Sequence, residues 1–316
     1  MKVAVLSAPQ RIDLADEPVR DPTGGEVLLR VAACGVCASE LDVWEGRADV
    51  RYPRFPGHEV SGTVERVGPA VDELEPGDRV AAWVYSHGFA EYVVVPAEHC
   101  FLAGDVPLDL ALAEPLACAL NAVELAAPAL GDDVVIVGAG FMGNLVQLLV
   151  QLKGPREVIV ADTRRDALAL AERLGATRTV DVGRESLAEA VATATGGAGA
   201  DLSFEVTGAE AALRSLGDAT RMSGKLAIVG YHQGGTRALP LGDWNWMAFE
   251  LVNAHFRDMG TIMRGMRTGM RLLTSGRLDL GPLVTHRFPL ERVNEAFATA
   301  VEKPPGFVKA VVTTEV

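Results

Sequence analysis

The sequence predicts an α/β protein, one half a doubly wound parallel sheet and the other half rich in β-strands. Three observations predict it. A β-branched apolar run ends in a glycine turn with G-x-G-x-x-G spacing at 138–143. Strand and helix signals alternate after that turn, the pattern of a parallel sheet with helices on its faces. The first third of the chain instead carries short apolar or alternating runs punctuated by proline and glycine.

The glycine turn comes first because it carries chemistry. Val134-Val135-Ile136-Val137 suits a strand buried on both faces. Gly138, Gly140 and Gly143 follow, and Asn144 to Lys153 reads as a helix with Leu145, Leu148 and Leu149 on its apolar side. The first glycine permits a tight turn, the second lets a pyrophosphate approach the backbone, and the third lets helix pack on strand. The new helix turns free N–H groups and a positive dipole end toward the phosphates. A second apolar strand, Glu157–Ala161, ends at Asp162, ~20 residues beyond the glycines, where an acid grips a ribose diol. The competing reading is an ordinary strand–turn–helix without a ligand. With Asp162 in place we read a Rossmann dinucleotide site. Its candidate residues are Gly138, Gly140, Phe141, Met142, Gly143, Asp162 and Arg164, with Thr207 and Gly230 after two later strands.

In chain order, strands are expected at Lys2–Leu6, Glu26–Ala33, Gly62–Val67, Arg79–Val84 and Glu91–Val95. Ala111 to Ala127 reads as a helix. Further strands follow at 179–182, 202–206 and 225–230, with helices near 165–174, 186–195 and 209–220. Leu251–Phe256 reads as a last strand of the parallel sheet. A helix from Met259 to Ser275, a strand at 284–288, a helix at 290–302 and a strand at 307–312 complete the chain. Met259, Met263, Met266 and Met270 share one helical face, which we read as core packing.

Whole-chain properties narrow the function. The 316 residues are enough for about two domains. A net charge of −13 argues against nucleic acid and anionic membranes as partners. No apolar run reaches membrane-spanning length, and the N-terminus reads as a strand and not a signal peptide. Cys34, Cys37, Cys100 and Cys118 are too few for a disulfide scaffold, so a cytoplasmic chain with reduced thiols is expected.

Reactive residue types gather in the first third. Cys34-Gly35-Val36-Cys37-Ala38-Ser39-Glu40 has the C-x-x-C spacing of a redox pair or of half a zinc knuckle, yet the chain has no second C-x-x-C. Pro56-Gly57-His58-Glu59 supplies an imidazole beside a carboxylate, and Glu114-Pro115 a further acid. Cysteine, histidine and glutamate around a metal with an open position make up a catalytic zinc site. Taken singly, each residue also fits a structural reading: Cys37 as packing, His58 as a turn residue, Glu114 as an exposed helix acid.

Together the motifs identify a family. Gly35-Val36-Cys37-Ala38-Ser39, Gly57-His58-Glu59, Pro76-Gly77-Asp78-Arg79-Val80, Gly88-Phe89-Ala90-Glu91-Tyr92, Glu114-Pro115-Leu116, the glycine turn and Pro282-Leu283-Val284-Thr285-His286 resemble the zinc-dependent medium-chain alcohol dehydrogenases, in the polyol, sugar and threonine dehydrogenase branch. The resemblance implies a GroES-like catalytic domain over 1–115, a Rossmann domain over 116–252 and a return to the first domain over 253–316. It implies Cys37, His58 and Glu114 as zinc ligands, with Glu59 beside the metal and able to enter its shell. Ser39 matches the hydroxyl that takes the alcohol proton, and Lys309 a basic residue near the cofactor phosphates. Two features depart from the family. The four-cysteine lobe that holds a structural zinc is missing, so one zinc per chain is expected. Asp42 stands where a histidine usually continues the proton relay.

The implied activity is hydride transfer between NAD, less readily NADP, and a secondary alcohol or ketone: a polyol, sugar, cyclitol or amino alcohol. A homodimer or homotetramer is implied, paired through sheet edges such as 251–256. Two other readings compete: a metal-free quinone or enoyl reductase of the same fold, and a non-catalytic NAD-binding protein. Trp44, Trp83, Tyr85, Trp244 and Trp246 are candidates for lining the substrate pocket, or for packing.

Overall fold

Alternating apolar residues with turn punctuation build the first part of the chain. A computed structural model describes residues 1–314 apart from Gln233 and Arg257. The chain opens with β1 (Lys2–Ala8) and β2 (Arg11–Asp16), an antiparallel pair. Then come β3 (Glu26–Gly35), α1 (Ala38–Trp44), β4 (Glu59–Val67), β5 (Arg79–Trp83), β6 (Tyr92–Pro96) and β7 (Cys100–Leu102). Helix α2 (Ala113–Ala126) leads onward. The alternating part is β8 (Asp133–Val137), α3 (Phe141–Gln151), β9 (Glu157–Asp162), α4 (Arg165–Arg173), β10 (Arg178–Asp181), α5 (Leu187–Ala194), β11 (Ala200–Glu205), α6 (Glu210–Ala219), β12 (Thr220–Ile228), α7 (Leu241–Trp246) and β13 (Glu250–Asn253). The chain ends with α8 (Met259–Thr274), β14 (Val284–Pro289), α9 (Val293–Glu302) and β15 (Lys309–Thr313).

Two compact units result. The first comprises Met1–Ala117 with Ile262–Val316, the second Cys118–Thr261. The second unit therefore continues past residue 252, the expected domain boundary. β13 pairs in its sheet, and the following segment to Thr261 stays with it.

In the first unit a sheet runs β14-β15-β3-β4-β5-β7, with β6 also on β3. The C-terminal segment is integral to this unit. β15 pairs antiparallel with β3, and Asn294 of α9 accepts from the Ile12 N–H at 2.8 Å and donates to its carbonyl at 2.7 Å. Phe297 of α9 stacks edge-on to Phe89 at 5.6 Å and tilts against Trp44 at 6.0 Å, all three buried. Truncating such a ring costs ~3–5 kcal/mol.

The second unit is a six-stranded, wholly parallel sheet ordered β10-β9-β8-β11-β12-β13. The order reverses between β8 and β11, and ligands of such sheets bind outside the carboxyl ends of the strands at that switch point. Val135, Ile159 and Leu226 lie in the core between this sheet and its helices, together with Leu213 and Trp244.

The sequence reading differs in places. β2 and β7 were not expected: β2 alternates too weakly to stand out, and β7 has three residues. α3 begins at Phe141, inside the glycine motif, because Gly140 is its N-cap. Met266 and Met270 are buried and Met259 and Met263 half-buried, as core packing requires. Among the described residues no helix is long and apolar enough to cross a membrane.

Candidate active site

Pairing of β3 with β4 brings the reactive residues of the first unit together. Gly35, at the end of β3, lies opposite Glu59, at the start of β4. Cys37 follows two residues after Gly35 as the N-cap of α1, and His58 immediately precedes Glu59. One ligand atom from each of Cys37, His58 and Glu59 lies within 4.8 Å of the others. This is the one such cluster among the described residues.

Backbone constraints hold the approach. Gly57 has φ +101° and lies so near Gly88 and Phe89 that a Cβ would stand 2.6 Å from the Phe89 nitrogen. Gly35 is required for a different reason: a Cβ there would meet the Glu59 carboxylate at 2.0 Å.

Glu40 orients the imidazole. Its Oε1 lies 3.4 Å from His58 Nδ1 and accepts from the Gly57 N–H at 2.6 Å. A carboxylate on one ring nitrogen leaves the other for a metal and fixes the ring. Burial alone pushes Glu40 up, but His58 and the Gly57 N–H outweigh it and hold the carboxyl below its ordinary value. Burial pushes His58 down, whereas Glu40 and Cys37 push it up more strongly, so the ring ends well above its ordinary value. Such an anionic pocket favours a cation at the imidazole. A metal ion bound there would take the place of a proton on the ring. The donors suit zinc: a soft sulfur, an imidazole and a carboxylate.

Lys309 belongs to this cluster. It is 5% exposed, its Nζ lies 2.9 and 2.6 Å from the two Glu59 oxygens, and it donates to the Val36 carbonyl at 2.9 Å. Burial pushes the ammonium down; Glu59, Cys37 and Glu114 together push it above its ordinary value. The expectation put Lys309 beside the cofactor phosphates. In the structure its charge is committed to Glu59 instead, which leaves the cluster a carboxylate already balanced by a cation. Glu114, in the first turn of α2, is not one of the three clustered residues, though its charge reaches Lys309.

Ser39, in the first turn of α1, donates to Cys37 Sγ at 3.2 Å, which places the hydroxyl beside the Cys37–His58–Glu59 cluster. The Asp42 carboxylate accepts from Arg47 Nε at 2.9 Å and from a second Arg47 nitrogen. Of the aromatic candidates, Trp44 and Trp244 are core residues, whereas Tyr85 and Trp246 are 75% and 80% exposed.

The second unit holds the dinucleotide signature at the switch point. Gly138 has φ +114°, and a Cβ would lie 2.8 Å from Thr207 Cγ2. A Cβ on Gly143 would lie 1.8 Å from the Gly138 carbonyl, so α3 reaches β8 only with glycine there. A Cβ on Gly140 would meet nothing within 4 Å. Among the described residues no neighbour demands glycine at 140, and the open space above it fits an approaching pyrophosphate. Asp162, at the end of β9, accepts from the Ala139 N–H and the Arg164 N–H, each at 2.8 Å, and so braces the turn. Phe141 and Met142 open α3, and Gly230 follows β12, as expected.

A metal-ligand cluster on a GroES-like β domain, with a parallel sheet carrying a dinucleotide turn, defines the class of zinc- and nicotinamide-dependent dehydrogenases. Residues 23–105 match the family described as alcohol dehydrogenase GroES-like domain, and residues 142–268 that described as zinc-binding dehydrogenase. Human sorbitol dehydrogenase is 31% identical over 93% of this chain and 91% of its own length. Among solved structures, galactitol-1-phosphate dehydrogenase from Escherichia coli superposes with a TM-score of 0.88 at 25% identity, covering 99% of this chain and 100% of that one. A zinc-dehydrogenase candidate from Sinorhizobium meliloti 1021, bound to NADP, gives 0.87 at 25% identity over 99% and 98%. The chain belongs to the zinc-dependent medium-chain alcohol dehydrogenase family, in its polyol branch. It is an oxidoreductase acting on a small-molecule alcohol.

Sequence reasoning passed over Glu40: it ends the Cys34–Glu40 run, but nothing in that run shows its carboxylate turning toward His58, a contact made only by folding.

Proposed function

We propose that the protein oxidises a secondary alcohol flanked by further hydroxyl or amino groups, a polyol, sugar, cyclitol or amino alcohol, with NAD as acceptor. The observation that carries this reading is the acidic surround of the Cys37–His58–Glu59 cluster, with Glu40 on His58 and the charge of Glu114 reaching Lys309. Carboxylates near a metal suit adjacent hydroxyls, and sites that hydrogen-bond such groups reject analogues lacking them. The Glu114-Pro115 pair of the polyol branch supports the same reading.

Cys37 and His58 would hold one zinc, with Glu59 or Glu114 completing the shell. Zinc held there would supply Lewis acidity, and a nicotinamide in the second unit would supply the hydride acceptor. Ser39 Oγ, one hydrogen bond from the Cys37 sulfur, takes the alcohol proton. Asp42, already engaged by Arg47, acts by holding the segment after α1. Lys309 keeps Glu59 compensated and near the metal, so a neutral substrate enters without an unpaired buried charge.

Asp162 supports NAD, since a carboxylate at a ribose diol repels a 2′-phosphate. Arg164 and Arg165 stand nearby and lessen that repulsion. The exposed Leu251 on edge strand β13 supports a homodimer or homotetramer, and four free cysteines suit a cytoplasmic setting.

The test compares kcat/KM for a vicinal diol, its amino analogue and its mono-ol analogue, with NAD and with NADP, in wild type and Asp42→Asn. The diol or amino alcohol with NAD is expected to be best, by at least about tenfold over the mono-ol. Asp42→Asn is expected to change the rate only a few-fold. A preference for the mono-ol overturns the substrate class, and a preference for NADP overturns the cofactor assignment.

A further inference from the structure

The glycine turn before α3 is held by a side chain that the chemistry above does not use. Gly140 caps α3 without a side-chain hydrogen bond, and the first turn of the helix carries no acid. Other residues must therefore steer the polar groups of the turn. Gly138 donates its N–H to the Ala161 carbonyl at 2.7 Å, and Ala139 donates its N–H to Asp162 Oδ2 at 2.8 Å. The carbonyls of the turn go to Asn144, one turn into α3. Its Nδ2 donates to the Ala139 carbonyl and to the Gly140 carbonyl, each at 2.9 Å. Its backbone N–H also donates to the Gly140 carbonyl, at 3.0 Å.

Folding alone does not favour asparagine at this position. Asn144 is fully buried, and the neighbouring Leu145, Val146 and Leu149 are buried and apolar. Asparagine is a weaker helix former than leucine. Its Oδ1 is buried and has no hydrogen-bond partner among the described residues. Such an atom costs stability, and natural chains keep few of them. Turning the amide over would not help, because the oxygen would then face two carbonyl oxygens.

The two side-chain bonds do, however, set the direction of the turn. A trans peptide is planar, with its N–H and C=O pointing opposite ways. Drawing the Ala139 carbonyl toward Asn144 therefore turns the Gly140 N–H away from it. Both carbonyl oxygens, which repel an anion, are kept on the Asn144 side. Glycine leaves peptide planes free to rotate, so a glycine-rich turn needs such a restraint.

We propose that Asn144 is a positioning residue for the dinucleotide pyrophosphate: it holds the Ala139 and Gly140 carbonyls away from the anion, so the turn offers N–H groups and not oxygens. Asn144 acts through the backbone and does not touch the cofactor. The inference rests on the dinucleotide reading of the second unit.

The test separates ligands that carry the pyrophosphate from one that does not. Asn144→Leu keeps the approximate volume and removes both side-chain bonds. Asn144→Ser keeps a donor that reaches the carbonyl four residues back, that of Gly140. NADH is titrated by fluorescence, ADP-ribose by calorimetry, and adenosine by competition. Asn144→Leu is expected to bind NADH and ADP-ribose about tenfold more weakly, the value of one hydrogen bond, with adenosine affinity unchanged. Asn144→Ser is expected to lose less ADP-ribose affinity than Asn144→Leu, and it gives the same comparison with adenosine if the leucine variant does not fold. Wild-type affinity for ADP-ribose in the variants, or equal weakening of ADP-ribose and adenosine, overturns the proposal. Wild-type protein that binds neither NADH nor ADP-ribose overturns the dinucleotide reading itself.

Discussion

Cys34 and Cys37 are three positions apart and have opposite fates. Cys34 is 1% exposed within the first unit's core, and burial drives its thiol well above the ordinary value, so it stays protonated and unreactive. Cys37 caps α1 beside His58. Cys37→Ala should therefore remove both zinc and activity, whereas Cys34→Ala should lower the melting temperature and keep the metal. Elemental analysis of wild type should give about one zinc per chain, the expected number for a single catalytic site. Two tightly held equivalents would contradict this. His58 adds a pH dependence. Its value in the metal-free fold is raised, so below that value the ring is protonated and zinc must displace a proton; above it, none is displaced from this group. Zinc affinity should thus rise with pH through the His58 transition and then lose that slope. Calorimetric zinc titrations at neutral pH, in buffers of different ionisation enthalpy, should show proton release, and His58→Gln should remove the share due to this ring.

At the scale of the element, the glycine turn separates folding from binding. Gly140 has φ −76° and open space at its Cβ, so an alanine there fits the fold. Gly140→Ala should leave the apo protein as stable as wild type or up to ~1 kcal/mol more stable, because alanine restricts the unfolded chain. The added methyl occupies the pyrophosphate's approach, so NADH should bind at least about tenfold more weakly. Gly143→Ala should instead lower stability by ~1–3 kcal/mol, since its Cβ collides with the Gly138 carbonyl and α3 must shift. Thermal melts with and without NADH distinguish the two. Equal behaviour would show that the turn packs but does not bind.

At the scale of the whole molecule, β13 is an exposed edge. It ends the parallel sheet, with Leu251 49% exposed and Glu250 and Asn253 also facing solvent. Trp246, in the preceding helix, is 80% exposed. An apolar edge strand is a pairing site, and a second copy of β13 across a two-fold axis would satisfy it with antiparallel hydrogen bonds. Light scattering at micromolar concentration should give a dimer or tetramer, and Leu251→Lys should shift it toward monomer. A wild-type monomer would contradict the pairing.

Sequence alone determined what local pattern can carry. The β8 run, the glycine spacing and Asp162 lie within one strand–helix–strand stretch, so their meaning was legible without coordinates. Cys37, His58 and Ser39 sit in short motifs whose chemistry names a metal site. Tertiary structure decided the rest, because those contacts join residues distant in the chain. Lys309 meets Glu59 across 250 positions, only because β15 returns to pair with β3. That pairing sets Lys309, expected near the cofactor phosphates, against the Glu59 carboxylate of the Cys37–His58–Glu59 cluster. Arg47 takes up Asp42 through the turn that ends α1, a side-chain choice no periodicity encodes. Glu205 and His232 are 27 positions apart, brought together because β11 and β12 are neighbours in the sheet. Burial makes each such pairing consequential: a charge or polar atom removed from water must find a partner, and only the folded chain decides which one is in reach.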